Sequence, residues 1–148
     1  MQGEKLIQVV AVKALGDYAL DVTFSNGQHF PVDLKNTVHR LKGLKPLRGV
    51  RQFKRVSLGE GGHSIEWPGE LDIGAFTLWD LALRQNGHAD AAEFILWRWR
   101  NGLSLTAAAE ALGLSRRQVA YYASGAHLVP RTVLLACKGW NTEKEVAA

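Results

Sequence analysis

Cysteine occurs once in the 148 residues, at Cys137, so no internal disulfide can form. No apolar run is long enough to span a bilayer and no leader segment is seen, so the expectation is a cytoplasmic protein of the reducing cytosol with no membrane partner. Cys137 stands in the apolar row of the last helical segment, the place of a packed thiol rather than a reactive one. The polar candidates for chemistry in the first half are His29, Asp33, His39, His63, Glu66 and Asp72. They show neither HxH nor HExxH spacing, so neither a metal nor any other cofactor is expected. Asp33 and Asp72 each follow an apolar strand-like residue and precede a turn, where a carboxylate commonly accepts from backbone N–H groups. Nothing pairs a nucleophile with its base, cradles a phosphate in glycines or sets two carboxylates at an evident separation, so an enzyme is the least favoured class. Excess charge is small as well, +4 from 18 basic and 14 acidic residues. Any binding to nucleic acid must therefore rest on a local patch.

What is present differs between the two halves. Ile7 to Val12, Tyr18 to Phe24 and Gln28 to Val32 read as strands, the second through its alternating Tyr18, Leu20, Val22 and Phe24. Ser25, Asn26 and Gly27 make a tight turn, and Asn-Gly between two such runs is a hairpin signal because both residues tolerate positive φ. Val56 to Leu58 and Ser64 to Trp67 supply further strands around a loop with glycines at 59, 61 and 62. Thr77 to Gln85 repeats apolar residues at Leu78, Leu81 and Ala82 ahead of Gly87, a helix that closes the sheet.

Between these strands lies a stretch in which every charged residue is basic: Lys35, Arg40, Lys42, Lys45, Arg48, Arg51, Lys54 and Arg55. Val38, Leu41, Leu44, Leu47, Val50 and Phe53 interleave with them three residues apart, as in an irregular or partly helical segment that packs one side. Two readings stand: an auxiliary face contacting phosphates, or a solvated loop whose long side chains cover apolar surface.

The strand ending in Phe24 to Gly27 (FSNG), the following Val32 to Leu34 (VDL) and the later Trp67 to Ile73 (WP-G-x-x-D-I) together resemble a bacterial family of small domains of unknown function. The resemblance covers roughly residues 5 to 80, and some members carry a helix-turn-helix module behind the sheet. Here Gly69 follows Pro68 directly, where the family usually has asparagine.

Leu103 to Gly125 carries the second signal. Ser104 can N-cap a helix running to about Leu112, Gly113 supplies a turn, and Ser115 caps a second helix with Gln118 three residues on, a capping box. Gly125 ends that helix. Ala109 falls where the two helices cross and Val119 points back into the shared core. Asp90 with Glu93 makes a further capping box for a helix stopped at Gly102, and Pro130 opens another covering Arg131 to Trp140. Over residues 90 to 140 this spacing resembles the phage-repressor-like (Xre-type) DNA-binding family, in which five helices are usual.

That resemblance implies roles for particular residues. With Val119, Tyr122 and Ala123 turned inward, Arg116, Arg117, Ala120, Tyr121 and Ser124 point outward at helical spacing and would face the major groove. Arg116, Arg117, Ala120 and Tyr121 would contact bases, while Ser104, Ser115 and Arg131 would contact phosphate. Leu105 and Thr106 stand where the family commonly has polar or acidic residues, and Ala123 replaces a frequent glutamate.

The expected fold class is α+β: a small antiparallel sheet domain with a helix over 1–87, then an all-α lambda-repressor-like helix-turn-helix domain over 88–148. The expected function is a sequence-specific transcriptional regulator that binds double-stranded DNA as a homodimer. The first domain would supply the dimer surface, sense a small ligand or hold a protein partner such as a toxin. The alternative is a protein-interaction adaptor or antitoxin-like protein whose helix-turn-helix does not read DNA.

Overall fold

The computed structural model describes residues 6–147. The described residues divide into two compact units, 6–86 and 87–147. The fold is α+β, with two small antiparallel sheets and short helices in the first unit and helices in the second. No helix among the described residues is long and apolar enough to cross a membrane.

In the first unit β1 (Val9–Ala14), β2 (Ala19–Phe24) and β3 (His29–Asp33) form an antiparallel meander with β2 in the middle. The period-two pattern of β2 buries Leu20, Val22 and Phe24 completely, because alternate side chains of a strand share one face. Pro31 has no N–H to give a ladder and sits on the edge strand β3, where its carbonyl accepts from Asn86 Nδ2 at 3.0 Å. The β2–β3 turn differs from the expected one, since only Gly27 takes a positive φ, of 86°. Gly27 N–H donates to the Phe24 carbonyl at 2.9 Å and Phe24 N–H to the Gln28 carbonyl at 2.8 Å, the pattern of a three-residue loop closed by a left-handed glycine. Asn26 contributes its side chain instead, accepting from Gln28 N–H at 3.0 Å. Tyr18 also departs from its expected place at the head of β2. It lies in the preceding turn at φ 60°, donates its hydroxyl to the Arg48 carbonyl and packs edge-on against Phe53 with ring centroids 5.5 Å apart. Anchoring by distant partners overrides the local alternation here.

The basic stretch is partly helical: α1 (Lys35–Arg40), a 3-10 turn (Lys42–Arg48) and α2 (Val50–Phe53). Val38, Leu44, Leu47 and Phe53 are buried, whereas Leu41 and Val50 remain exposed. A second antiparallel sheet follows, of β4 (Ser57–Leu58), β5 (Ser64–Trp67) and β6 (Leu71–Gly74). The β5–β6 turn needs left-handed backbone at Gly69 (φ 94°) and at Glu70 (φ 62°). A Cβ on Gly62 would run into the Val9 carbonyl oxygen, so this glycine permits the close approach of the loop to β1. Last comes α3 (Ala75–Gln85), which begins ahead of the expected Thr77 and buries Leu78, Trp79, Ala82 and Leu83. Trp79 meets Phe24 edge-to-face at 4.9 Å, and Gln85 accepts from Asp33 N–H at 2.7 Å while donating to its carbonyl at 2.9 Å.

The second unit has four helices among the described residues: α4 (Ala89–Arg100), α5 (Leu105–Leu112), α6 (Arg116–Ser124) and α7 (Arg131–Ala147). Its core joins Phe94, Trp97, Ala108, Ala109, Val119, Tyr122, Val129 and Cys137. The expected capping box on α4 does not form. His88 occupies the N-cap and makes no side-chain capping bond to the helix start, and Asp90 lies inside the first turn. Its Oδ2 accepts from Val129 N–H at 2.7 Å, so a partner 39 residues away has taken the carboxylate. The last helix runs on to Ala147, past the Trp140 at which its apolar row ends.

Candidate functional site

The most chemically distinctive surface of the second unit is built on α5 and α6, and local chemistry explains their shape. Ser104 Oγ accepts from Ala107 N–H at 3.0 Å and Ser115 Oγ from Gln118 N–H at 3.1 Å, each satisfying a backbone donor that a helix start leaves open. Between the helices Gly113 takes φ 69°. Leu114 N–H returns to the Ala109 carbonyl at 2.9 Å and Gly113 N–H to that of Glu110 at 3.4 Å, the closure in which a left-handed residue reverses the chain. Ala108 and Ala109 are both buried where the helices meet. Val119 and Tyr122 are buried on α6, and Tyr122 packs edge-on against Phe94 at 5.6 Å. Fully burying a side chain of valine size stabilises by about 1.5 to 3 kcal/mol, which fixes the rotation of α6 about its axis.

That rotation decides what faces out. Arg116, Arg117 and Ser124 are exposed, Ala120, Tyr121 and Ala123 are half-buried, and α6 contains no carboxylate. Arg117 Nε donates to Tyr121 Oη at 2.9 Å, with the guanidinium carbon 5.5 Å from the ring centroid. The tyrosine ring has a second neighbour: the His127 ring lies 4.3 Å away, tilted by 40°. Gln118 Nε2 approaches His127 Nδ1 at 3.3 Å. Ser115 therefore caps α6, while the Gln118 side chain turns to His127 and does not complete the expected capping box. The row Arg117, Tyr121, His127 is consequently pre-oriented, and Arg116 has no such tie among the described residues. His127 carried no sequence signal, because it lies after Gly125, outside the helical periodicity.

Three other positions complete the surface. Ser104 is half-buried, while Ser115 and Arg131 are exposed, Arg131 in the first turn of α7. A capping hydroxyl accepts from the backbone yet keeps its own O–H to donate, so both serines can still meet an anion at a helix start. Cys137 is buried, and burial pushes its thiol from 9.0 up to about 11, which keeps it protonated and unreactive at neutral pH. Three of the polar candidates of the first unit make local contacts: His29 pairs with Asp21, Asp33 Oδ1 accepts from Lys35 N–H at 2.9 Å, and His39 Nδ1 bonds the Lys35 carbonyl at 2.7 Å. No three His, Cys, Asp or Glu side chains converge as a metal site requires, among the described residues.

Fold and site together define an α+β protein of two units, the second presenting a short helix with two arginines in its first turn. The chain belongs to the DUF2442 family of proteins of unknown function, whose model matches residues 9–83. No curated protein matches it. It is similar over 95% of its length, and over 90% of the other chain, to the crystal structure of a protein of Nitrosomonas europaea described as a "putative DNA binding protein", with 38% identity and a TM-score of 0.71. Coverage of that extent carries the likeness beyond the family segment into the helical unit.

Proposed function

We propose that this protein is a sequence-specific DNA-binding transcriptional regulator whose α6 enters the major groove. The observation that carries the proposal is the outward row on α6, two arginines with a tyrosine one turn on and no carboxylate, mounted on a helix pair with a tight glycine turn. An arginine can donate two parallel hydrogen bonds to guanine O6 and N7, and the Ala120 methyl and Tyr121 ring suit contact with thymine methyl groups. Ser104, Ser115 and Arg131 would hold phosphates and so fix the register of the helix on the duplex. The DNA-binding description of the structural neighbour is consistent with this role. In this proposal the helical unit is an Xre-like, lambda-repressor-like module with four helices among the described residues, and the protein binds rather than catalyses. A nine-residue helix reads too few base pairs alone, so two copies acting as a homodimer on adjacent half-sites are part of the proposal.

The competing reading is a protein-interaction adaptor or antitoxin-like protein, favoured by exposed Leu128 and Leu135 beside the same helices. The double substitution R116A/R117A separates the two. Both side chains are exposed, so the fold should persist. Preference among DNA sequences should be lost at about 1 to 3 kcal/mol for each base no longer read. R131Q should weaken all duplexes alike. Unchanged sequence preference in the double variant would remove α6 as the reading element.

A further inference from the structure

Residues 35–55 carry eight of the chain's 18 lysines and arginines and none of its 14 aspartates and glutamates. The remainder, with ten basic residues against those 14, is net acidic, so the modest overall charge hides a strongly polarised molecule. Two of the eight have structural employment. Arg48 donates to the His39 carbonyl at 2.9 Å and the Val38 carbonyl at 3.3 Å, and Lys35 pairs with Asp17 at 3.7 Å. The other six, Arg40, Lys42, Lys45, Arg51, Lys54 and Arg55, are exposed and make no ion pair among the described residues.

The segment is held to the core by the buried Val38, Leu44, Leu47 and Phe53, while the six cations stand exposed. The charges are spread over α1, the 3-10 turn, α2 and the two residues that follow it rather than gathered into one pocket. A single anion or one acidic side chain would engage a fraction of them, whereas a polyanion with regularly repeated phosphates engages the whole row and releases condensed counterions as it does so. We infer that this basic row on the family domain is a second DNA contact, a sequence-independent clamp on the phosphate backbone of a duplex. The inference rests on the reading of the chain as a DNA-binding protein, but not on α6 being the part that reads sequence.

The test uses the full chain with a duplex of random sequence and, for sequence preference, a duplex enriched by the wild-type protein from a random pool. Binding is measured between about 50 and about 200 mM salt for wild type, K42Q/K45Q/K54Q/R55Q, R116A/R117A and the combination of all six changes. If all four neutralised positions meet phosphates, the slope of log affinity against log salt should become shallower by about 3 to 4 in the fourfold variant, at about 0.9 for each phosphate left unneutralised. The charge-conserving K42R/K45R/K54R/R55K should retain the wild-type slope. R116A/R117A should lose sequence preference while keeping the fourfold-sensitive part of the slope. An unchanged slope in the fourfold variant overturns the clamp even if sequence preference persists. Absence of sequence preference with a shallower slope instead overturns the α6 reading and keeps the clamp. Tighter binding to single-stranded RNA of equal charge, or to phosphatidylserine vesicles, would also overturn it by assigning the row to another polyanion.

Discussion

Replacing Asp90 with alanine removes the only carboxylate in the first turn of α4 and, with it, the acceptor for Val129 N–H at 2.7 Å. A hydrogen bond to a charged acceptor contributes about 1.5 to 3 kcal/mol. Loss of a negative charge at a helix start adds about 0.3 to 1 kcal/mol. Val129 is 5% exposed, so little water reaches the orphaned N–H to replace the carboxylate. D90A should therefore destabilise the helical unit by about 2 to 4 kcal/mol, while D90N, which keeps an acceptor but no charge, should cost about 1 kcal/mol. Urea titration followed by tryptophan fluorescence reads this directly, since Trp97, Trp99 and Trp140 report the helical unit and Trp67 and Trp79 the other. Hydrogen exchange at the Val129 amide reads it locally. A D90A protein within about 0.5 kcal/mol of wild type, with Val129 as protected as before, would refute the reasoning, because that is the scatter of an uninvolved surface site.

Two glycines with nearly the same φ should respond differently to alanine. Gly113 (φ 69°) has nothing within 4 Å of an added Cβ, so G113A should cost only the left-handed penalty of about 1 to 2 kcal/mol. G62A (φ 72°) also collides with the Val9 carbonyl oxygen and should cost clearly more in the same denaturant assay. A109L should push α5 and α6 apart at about 1 to 3 kcal/mol of overpacking and abolish any DNA preference together with thermal stability. The Cys137 thiol, raised to about 11 by burial, keeps its proton in the folded chain while the unfolded chain ionises near 9.0. Stability from this group is thus fully present below pH 9.0, is lost as pH rises through about 11, and in C137A that alkaline component should vanish from melts taken across the window. Y121F should leave stability within about 0.5 kcal/mol yet relax discrimination at one base position, as Arg117 loses its 2.9 Å tie to the phenol oxygen.

The parts of this molecule that were legible in the sequence are those fixed by neighbours in the chain. Ser104 and Ser115 cap their helices through bonds to backbone three residues on, and Gly113 turns left-handed where the pattern asks for it. The alternation of Leu20, Val22 and Phe24 located the central strand for the same reason. Where a distant partner competes, local reading failed. Asp90 has the spacing of a capping box but bonds Val129, Gln118 turns to His127, and Tyr18 leaves its strand to reach Arg48 and Phe53. The four-residue β6 was missed because Leu71 to Gly74 is too short to show a period and its turn rests on the left-handed Glu70. On the candidate surface the outward arginines followed from helical spacing. The stack of Tyr121 on His127 did not, since it depends on the path of the chain after Gly125.

The most direct test of the central proposal is selection of bound duplexes from a random DNA pool by the purified full chain near physiological salt, followed by sequencing. The account predicts an enriched motif arranged as two half-sites about one helical turn apart, lost in R116A/R117A. A folded protein that enriches no sequence would contradict it.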